Sequence, residues 1–357
     1  MRSAALALVT ALIGGCTLTT PLDELGAGST TQATTGVGAA GAGGEDVGGS
    51  ASEPPTLSAI AANHHRIDLE WTSSPGAIDI ERDGTIIRSA VEGTRFQDRG
   101  LEPSTQYTYR IRAGNAWSLP ESATTGDEPT GSYSAHVVSD EPRGYWQLEQ
   151  FPLIDTMGNI SSGAIYGAPT VIPGKIGNAI AFNGTTDSAD LHTVHTADSE
   201  WGWSWELWVQ FIAVKENDSG LLGCPNTPRL AINVGGEIAI GLSKRDEVGY
   251  LGWTSDLAFD SAVWHHFVLT VEGAITNAPV MKFYADGALA GLQNYAEAVH
   301  SPWSRGNQGT TSEGELGLNR RDVFQTVEGT YDEAAAYDYV LSATQIQRHY
   351  EIGSLPR

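Results

Sequence analysis

Short alternations of apolar and polar residues dominate the larger, C-terminal part of the chain. Residues 67–71 alternate with period two, so their large apolar side chains share one face of a predicted strand. Residues 77–82 alternate in the same way, and Asp83-Gly84 then favours a tight hairpin turn into residues 85–87. The pattern predicts short antiparallel strands packed as a sandwich.

Two further patterns lie nearer the C-terminus. Residues 203–209 carry apolar bulk at odd and even positions, which is typical of a strand enclosed on both faces. Residues 331–342 begin as an alternating strand and end at Ser342, which forms the capping-box pattern of a helix start with Gln345. We therefore expect a strand that passes directly into a short closing helix over residues 343–350.

The composition agrees with many short strands and disfavours some partners. The 357 residues include 42 Gly, 10 Trp and 12 Tyr, which favours strands and turns over long helices. A formal net charge of −23 disfavours binding to nucleic acid or to anionic lipid. The charge is compatible with divalent cations and neutral sugars, although excess carboxylates also keep an exported protein soluble.

The N-terminus has the pattern of an export signal. A basic start, a short apolar run and small residues precede Cys16. Residues 12–16 resemble a bacterial lipobox, which implies a signal peptide over residues 1–15, diacylglycerol on Cys16, and export to the outer membrane or cell surface. An ordinary signal peptide with a chance cysteine is the alternative. Residues 16–53 are rich in Gly, Ala and Thr and lack Lys, Arg and aromatic residues, so we expect a disordered tether.

Residues 54–125 form the first predicted folded unit. The segment 101–113, L-E-P-S-T-Q-Y-T-Y-R-I-R-A, resembles the pattern of fibronectin type III domains. The resemblance implies an all-β sandwich in which Tyr107 makes a tyrosine corner and Trp71 packs in the core. We expect this unit to act as a spacer and a linker at residues 126–132 to follow it.

Four motifs mark the second predicted unit, residues 133–357. They are Y-W-x-L at 145–148, G-x-x-G-x-A-I-x-F-N-G at 174–184, W-x-H-F at 264–267 and the closing D-E…L-S…H-Y over 332–350. Together they resemble the bacterial laminin-G-like, concanavalin A-like jelly rolls. The resemblance implies a second all-β sandwich that ends in the strand and helix described above.

The residues of both units argue against catalysis. Hydrolases of the concanavalin fold place two carboxylates at alternate positions of one strand, where both face the cleft. Asp332 and Glu333 are adjacent, so we expect them on opposite faces, and Glu206 stands alone among tryptophans. We interpret His64 and His65 as surface-loop residues rather than metal ligands. The sequence predicts no catalytic residues and a protein that is not an enzyme.

Calcium is the candidate cofactor. The resemblance implies that an acidic residue after F-N-G can meet the closing D-E pair at a structural cation, here Asp187 or Asp190 with Asp332 and Glu333. Carboxylate oxygens suit Ca²⁺. The alternative is that Asp332 and Glu333 accept hydrogen bonds from nearby backbone and hold the last strand in place.

Aromatic residues in loop-like surroundings are the candidates for sugar binding. A sugar site needs aromatic platforms with a few polar groups at its rim. The alternative is that each aromatic residue covers an edge of the core. The candidates lie in Gly-, Ser- or Asp-rich segments and are Trp253, Trp303, Tyr250 and Trp201.

These observations predict an exported, lipid-anchored binding protein whose jelly roll recognises a carbohydrate or acts as an adhesive. A structural or protein-interaction module without a sugar site is the alternative, and a glycoside hydrolase is a third possibility. The expected partners are a glycan or a cell-surface protein. We expect contact with the membrane through the lipid anchor only, and no nucleic acid.

Overall fold

The computed structural model describes residues 54–72, 76–160, 162–191, 201–223, 228–243, 250–274, 276, 278–299, 316–319 and 326–356. These residues belong to one compact unit, Ser52–Arg357, which contains two β-sandwiches. The predicted all-β class is confirmed, because strands alternate with turns throughout and the helices are short. In the described part of the chain, no helix is long and apolar enough to cross a membrane. Cys16, the predicted signal peptide and the tether lie outside the described residues.

The first sandwich packs two antiparallel sheets around a small core. Alternation along β2 buries Ile67, Leu69 and Trp71 together. The hydroxyl of Tyr107 accepts a hydrogen bond from the backbone N–H of Glu102 at 2.9 Å, as expected of a tyrosine corner. One sheet contains β1 (Leu57–Ala61), β2 (Ile67–Trp71) and β5 (Arg95–Asp98). The other contains β4 (Thr85–Val91), β3 (Ile78–Arg82), β6 (Gln106–Ala113) and β7 (Ala116–Trp117), with β8 (Glu121–Thr124) also paired to β6.

The second sandwich is a jelly roll of two larger antiparallel sheets. In neighbour order, the seven-stranded sheet contains β10 (Ala164–Tyr166), β13 (Ser188–Asp190), β22 (Gly317–Leu318), β15 (Ser219–Gly223), β16 (Arg229–Ile232), β17 (Glu237–Ser243) and β18 (Tyr250–Ala258). The eight-stranded sheet contains β11 (Thr170–Pro173), β12 (Asn178–Asn183), β23 (Glu328–Tyr337), β14 (Gly202–Ala213), β19 (His265–Glu272), β20 (Val280–Ala285) and β21 (Ala288–Asn294), with β9 (Gly144–Trp146) also paired to β23.

Strand β14 is enclosed on both faces, as its sequence predicts. Trp203 and Trp205 point into the core between the sheets, where their ring centroids lie 4.8 Å apart. Trp208 points the other way, into a second apolar cluster on the outer side of the eight-stranded sheet. Two helices, α1 (Tyr133–Ser139) and α2 (Ala343–Gly353), contribute to that second cluster.

The closing strand β23 contains a bulge that the alternation did not predict. Its pairing with β14 shifts register, and Glu333 adopts a left-handed φ of 52°. Asp332 pairs with Trp208, and the Glu333 carboxylate accepts a hydrogen bond from Tyr145, so both acids lie on the side of the second cluster. The expectation of opposite faces was wrong, because the bulge breaks the period-two alternation. The predicted capping box is confirmed, with Ser342 and Gln345 bonding reciprocally.

Candidate functional site

The eight-stranded sheet has its outer face covered. Aromatic and aliphatic side chains from the sheet, α1 and α2 form a continuous buried layer there. Glycine at position 353 lets α2 approach the sheet, since a Cβ there would lie 2.6 Å from the Trp208 ring. The layer consists chiefly of Tyr133, Val137, Tyr145, Trp208, Val268, Tyr337 and Ile346.

Glu206 is the polar centre of this covered face. Its side chain is 0% exposed and accepts hydrogen bonds from Tyr133 at 2.8 Å and from Tyr337 at 2.9 Å. Nε2 of His266 lies 2.7 Å from its carboxylate, and Nδ1 of His349 lies 3.0 Å away. Its two oxygens are therefore fully engaged with buried partners.

The electrostatics of this network are mutually stabilising. Burial disfavours charge, but the carboxylates of Glu206 and Asp140 outweigh it and raise the pKa of His349 to about 10. Burial would raise the pKa of Glu206, but His349 and His266 hold it well below its usual value. His349 is thus an imidazolium held between carboxylates, with Nε2 3.1 Å from Asp140. A buried Glu206 with a lowered pKa is suited to holding α1, α2 and the sheet together.

Asp332 and Glu333 form a separate acidic pair on the same side of the sheet. Asp332 accepts a hydrogen bond from the Ile176 backbone at 2.9 Å, while its Oδ1 and the Oε1 of Glu333 are buried without a hydrogen-bond partner among the described residues. Burial raises the pKa of Asp332 well above its usual value. Burial, together with the neighbouring Asp332, raises the pKa of Glu333 to about 9.

The other two predicted calcium ligands belong to the opposite sheet and have partners of their own. Asp187 precedes β13 and accepts hydrogen bonds from the backbone of Ala168 at 2.9 Å and of Asn183 at 3.1 Å. Asp190 lies on β13 and accepts one from the Tyr166 hydroxyl at 3.1 Å. Within the described ranges, no three His, Cys, Asp or Glu side chains form a group that could hold a metal ion. The structure does not gather the four predicted acids into one site, and calcium binding stays a prediction.

The seven-stranded sheet has a different outer face, built largely of small residues. One row of directly paired residues crosses the whole sheet and alternates with a row that points into the core. A second outward row, two residues along on β16, β17 and β18 and three on β15, is also small. Both rows are exposed at β18 and mostly buried towards the middle of the sheet. The first row is Ala164, Asp190, Gly317, Gly223, Arg229, Gly241 and Gly252; the second is Gly220, Ala231, Ala239 and Thr254.

Arg229 and Tyr166 are two of the large side chains of this outer face. Arg229 forms an ion pair with Asp218 and is 31% exposed. Arg229 can lie across the sheet because residue 241 is glycine. A Cβ at that position would be 3.0 Å from the Nε atom of Arg229. Tyr166 is 50% exposed at the β10 edge and donates to Asp190. The face therefore combines an aromatic ring, a guanidinium and a floor of backbone.

The predicted aromatic platforms that the structure describes lie in different parts of the molecule. Trp253 pairs with Ile240 in the core-facing row and packs 6.1 Å from the Phe283 ring, so it covers an edge of the core. The prediction of Trp253 as an open platform is corrected by its inward register. Trp201 is half-buried with the Arg88 guanidinium 5.0 Å above its ring. The Tyr250 backbone pairs with Ser243, and Trp303 lies outside the described residues.

Sequence reasoning missed Tyr166, Arg229 and the partners of Glu206. His64 and His65 were also misassigned, since both are buried, at 6% and 0% exposure, against the jelly roll. Tyr166 carried a usable signal, as an aromatic in a short alternating run followed by Gly. Arg229 carried none, because the glycines around it come from strands far apart in the chain.

Comparison with known proteins finds similar solved structures and one matching family model. No curated protein matches the chain. Solved structures that resemble it include the binding domain of Paraclostridial Mosquitocidal Protein 1 (12% identity, 59% of this chain, 52% of that one, TM-score 0.45). A second is the receptor-binding domain of botulinum neurotoxin type G, with 11% identity over 59% of this chain and 51% of that one and a TM-score of 0.46. A third is domain 4 of an extracellular arabinanase from Geobacillus stearothermophilus in complex with arabinotriose, with 16% identity over 58% of this chain and 98% of that one and a TM-score of 0.44. The chain spans about half the length of the first two.

The family comparison is more direct. Residues 183–347 match the family Laminin_G_3, described as the concanavalin A-like lectin/glucanases superfamily. The matched segment runs from the end of β12 into α2, and so includes most strands of both sheets and the closing strand, but not β10 or α1. Residues 183–347 are therefore similar in sequence to the Laminin_G_3 family, in agreement with their jelly-roll fold.

Proposed function

We propose that the jelly roll is a carbohydrate-binding module that receives a glycan on the outer face of its seven-stranded sheet. The observation that carries the proposal is the pair of small-residue rows across that face, which reach the surface at Gly252 and Thr254 on β18. Glycine lets a ligand approach the backbone closely. The outer face of the opposite sheet is filled by α1 and α2, so it offers no equivalent surface.

The chemistry of the face suits a neutral or weakly polar sugar. Tyr166 supplies an apolar ring with a polar tip, on which a sugar ring can stack. Arg229 supplies several N–H donors for sugar hydroxyl groups. The overall charge of −23 would repel a polyanionic glycan. Binding pockets of this kind need few polar groups, provided that they are well placed.

The proposal is one of binding rather than hydrolysis. A glycosidase needs a protonated carboxyl and a second carboxylate facing a cleft. Glu206 is buried, ionised and engaged with four side chains, which supports a structural role for it. We further propose that diacylglycerol on Cys16 holds the protein at the outer membrane or cell surface, where glycans are accessible.

Gly252→Leu tests the proposed face without disturbing the core. A Cβ at this position would meet only a backbone oxygen, at 4.0 Å, and the residue does not adopt a left-handed φ. The added side chain would occupy the floor of the face. On a glycan array, we expect the wild-type protein to bind and the variant to lose binding while keeping its unfolding temperature.

The matched control is Ala343→Leu, which likewise enlarges a small residue to leucine at an exposed position of α2, on the opposite side of the jelly roll. It should bind like the wild type. An array that stays silent for a folded wild-type protein, with a protein partner recovered by crosslinking on intact cells, would favour the protein-interaction alternative and contradict the proposal.

A further inference from the structure

The junction between the two sandwiches pairs basic groups with acidic ones. His64 Nε2 lies 2.6 Å from Asp140, and Arg66 forms an ion pair with Glu141. Asp140 and Glu141 directly follow α1 of the jelly roll. The first sandwich thus supplies the basic side chains and the jelly roll the acidic ones, although the whole chain is strongly acidic.

The same division continues beyond α1. Arg99 of the first sandwich lies 3.2 Å from Asp338, just after β23 of the jelly roll. Asp140, Glu141 and Asp338 on the jelly-roll side therefore each face a basic side chain of the first sandwich. Charge complementarity of this kind fixes the register of an interface more than it adds raw affinity.

Stacking and close approach support these pairs. The His65 ring is 0% exposed and stacks on Tyr339, with centroids 5.3 Å apart, and Arg99 lies 5.7 Å from the same tyrosine ring. Gly100 has a φ of 71°, and a Cβ there would collide with the Val340 carbonyl. The backbones of the two sandwiches therefore touch without an intervening side chain.

Asp140 connects this junction to the centre of the jelly roll. One of its oxygens meets His64 of the first sandwich, and the other lies 3.1 Å from Nε2 of His349. Nδ1 of His349 lies within hydrogen-bond distance of Glu206, and Glu206 lies within hydrogen-bond distance of His266 on β19. An unbroken chain of alternating imidazoles and carboxylates thus runs from the first sandwich to the covered face of the eight-stranded sheet. All its members are buried.

The start of the predicted linker is also tied down. The Gly126 N–H donates to the carbonyl of Asn63 at 3.0 Å, and the Gly126 carbonyl accepts from Ser104 at 2.8 Å. These two bonds fix the backbone of the chain at the point where it leaves the first sandwich. Separation of the sandwiches would expose Tyr339 and remove a partner from the buried carboxylate of Asp140, which is unfavourable.

We propose that the first sandwich and the jelly roll form one rigid unit, locked through the shared carboxylate of Asp140, so that the first sandwich fixes the orientation of the jelly roll. The first sandwich is then a strut rather than a flexible spacer. A module placed between a tether and a binding face in this way sets the direction in which that face points.

A distance measurement between spin labels tests the lock on the full-length chain. Labels on Glu121→Cys in the first sandwich and Asp256→Cys in the jelly roll, with both native cysteines replaced by serine, use exposed positions on both sides. We expect one narrow distance distribution. The double variant H64A/R99A removes two of the junction pairs and should lose that narrow peak.

Arg110→Ala is the control, because it breaks a pair with Glu81 inside the first sandwich and leaves the junction intact. It should keep the narrow peak. A broad distribution in the parent protein, or an unchanged peak in H64A/R99A, would overturn the proposal. Calorimetry gives a second readout: we expect one unfolding transition in the parent protein and two in H64A/R99A, and two separate transitions in the parent would also overturn it.

Discussion

The two sheets of the jelly roll share one core, yet their outer faces are opposites. The eight-stranded sheet turns Trp208, Tyr337 and Glu206 outward and buries them beneath two helices. The seven-stranded sheet turns glycine and alanine outward, with Arg229 and Tyr166 among its large groups. One face is thus completed from within the chain, whereas the other presents small residues, which are exposed at Gly252 and Thr254 on β18 and buried towards the middle of the sheet.

The difference shows how a jelly roll can separate stability from recognition. Side chains that saturate one another, as around Glu206, contribute to folding because removing any one leaves the others unpaired. Small residues contribute little packing and permit close approach of a ligand. Substitutions on the covered face should therefore affect stability, and those on the open face should affect binding.

The largest expected effect is that of Glu206→Gln. The variant leaves His349 charged and buried with one fewer carboxylate, so we expect the free energy of unfolding to fall by about 3–5 kcal/mol. Urea denaturation followed by tryptophan fluorescence measures the change. The control Glu70→Gln, at an exposed pair with Arg95, should stay within about 0.5 kcal/mol. A similarly small change for Glu206→Gln would mean that the network is not a source of stability.

The pH dependence of stability should be the next largest effect. The folded-state pKa of His349 is about 10, above its unfolded value of about 6.5, so its stabilisation is complete below pH 6.5 and is lost as the pH rises through 10. Denaturation midpoints measured between pH 6 and pH 10 should fall for the wild type. His349→Gln should be less stable at pH 6 and show a flatter profile, and parallel profiles would contradict the assignment of His349.

The folds of both sandwiches could be predicted in outline, and the covered face could not. Alternation predicted β2 and β3, and Asp83-Gly84 forms the predicted two-residue turn between β3 and β4. Local patterns report local structure. The partners of Glu206 come from four segments that are distant in the chain, so only the fold brings them together.

The candidate site was harder to predict for two physical reasons. A bulge in β23 put Asp332 and Glu333 on one side, and a one-residue change of register is enough to move a side chain to the other face. The glycine row is visible only once strands β22, β15, β16, β17 and β18 are aligned. Trp253 shows the same limit, because its surroundings resemble a loop while its register directs it inward.

On the open face, Arg229→Ala should weaken glycan binding without a large effect on folding. Loss of a charged donor at a partly exposed site costs about 1–2 kcal/mol of binding, or roughly tenfold in Kd. Isothermal titration with a glycan identified on the array measures it. Arg110→Ala, a guanidinium of the first sandwich that also pairs with an acid, is the control and should leave Kd unchanged. Equal losses in both variants would point to a general charge effect.

The smallest expected effect is that of Tyr166→Phe. The variant keeps the ring that we propose stacks on the sugar, and loses the hydrogen bond from its hydroxyl to Asp190. We expect Kd to rise by no more than about fivefold, corresponding to about 1 kcal/mol. Tyr166→Ala, measured beside it, should lose more because the platform itself is removed. If the two variants bind equally, the ring does not contact the ligand.

The most direct test of the ligand face is to map amide chemical shifts in the full-length protein during titration with an oligosaccharide that it binds on the array. We predict that the shifts concentrate on accessible outward positions of the seven-stranded sheet, such as Ala239, Gly252 and Thr254, and leave α2 unchanged. Shifts confined to α1 and α2, or to the first sandwich, would contradict the account.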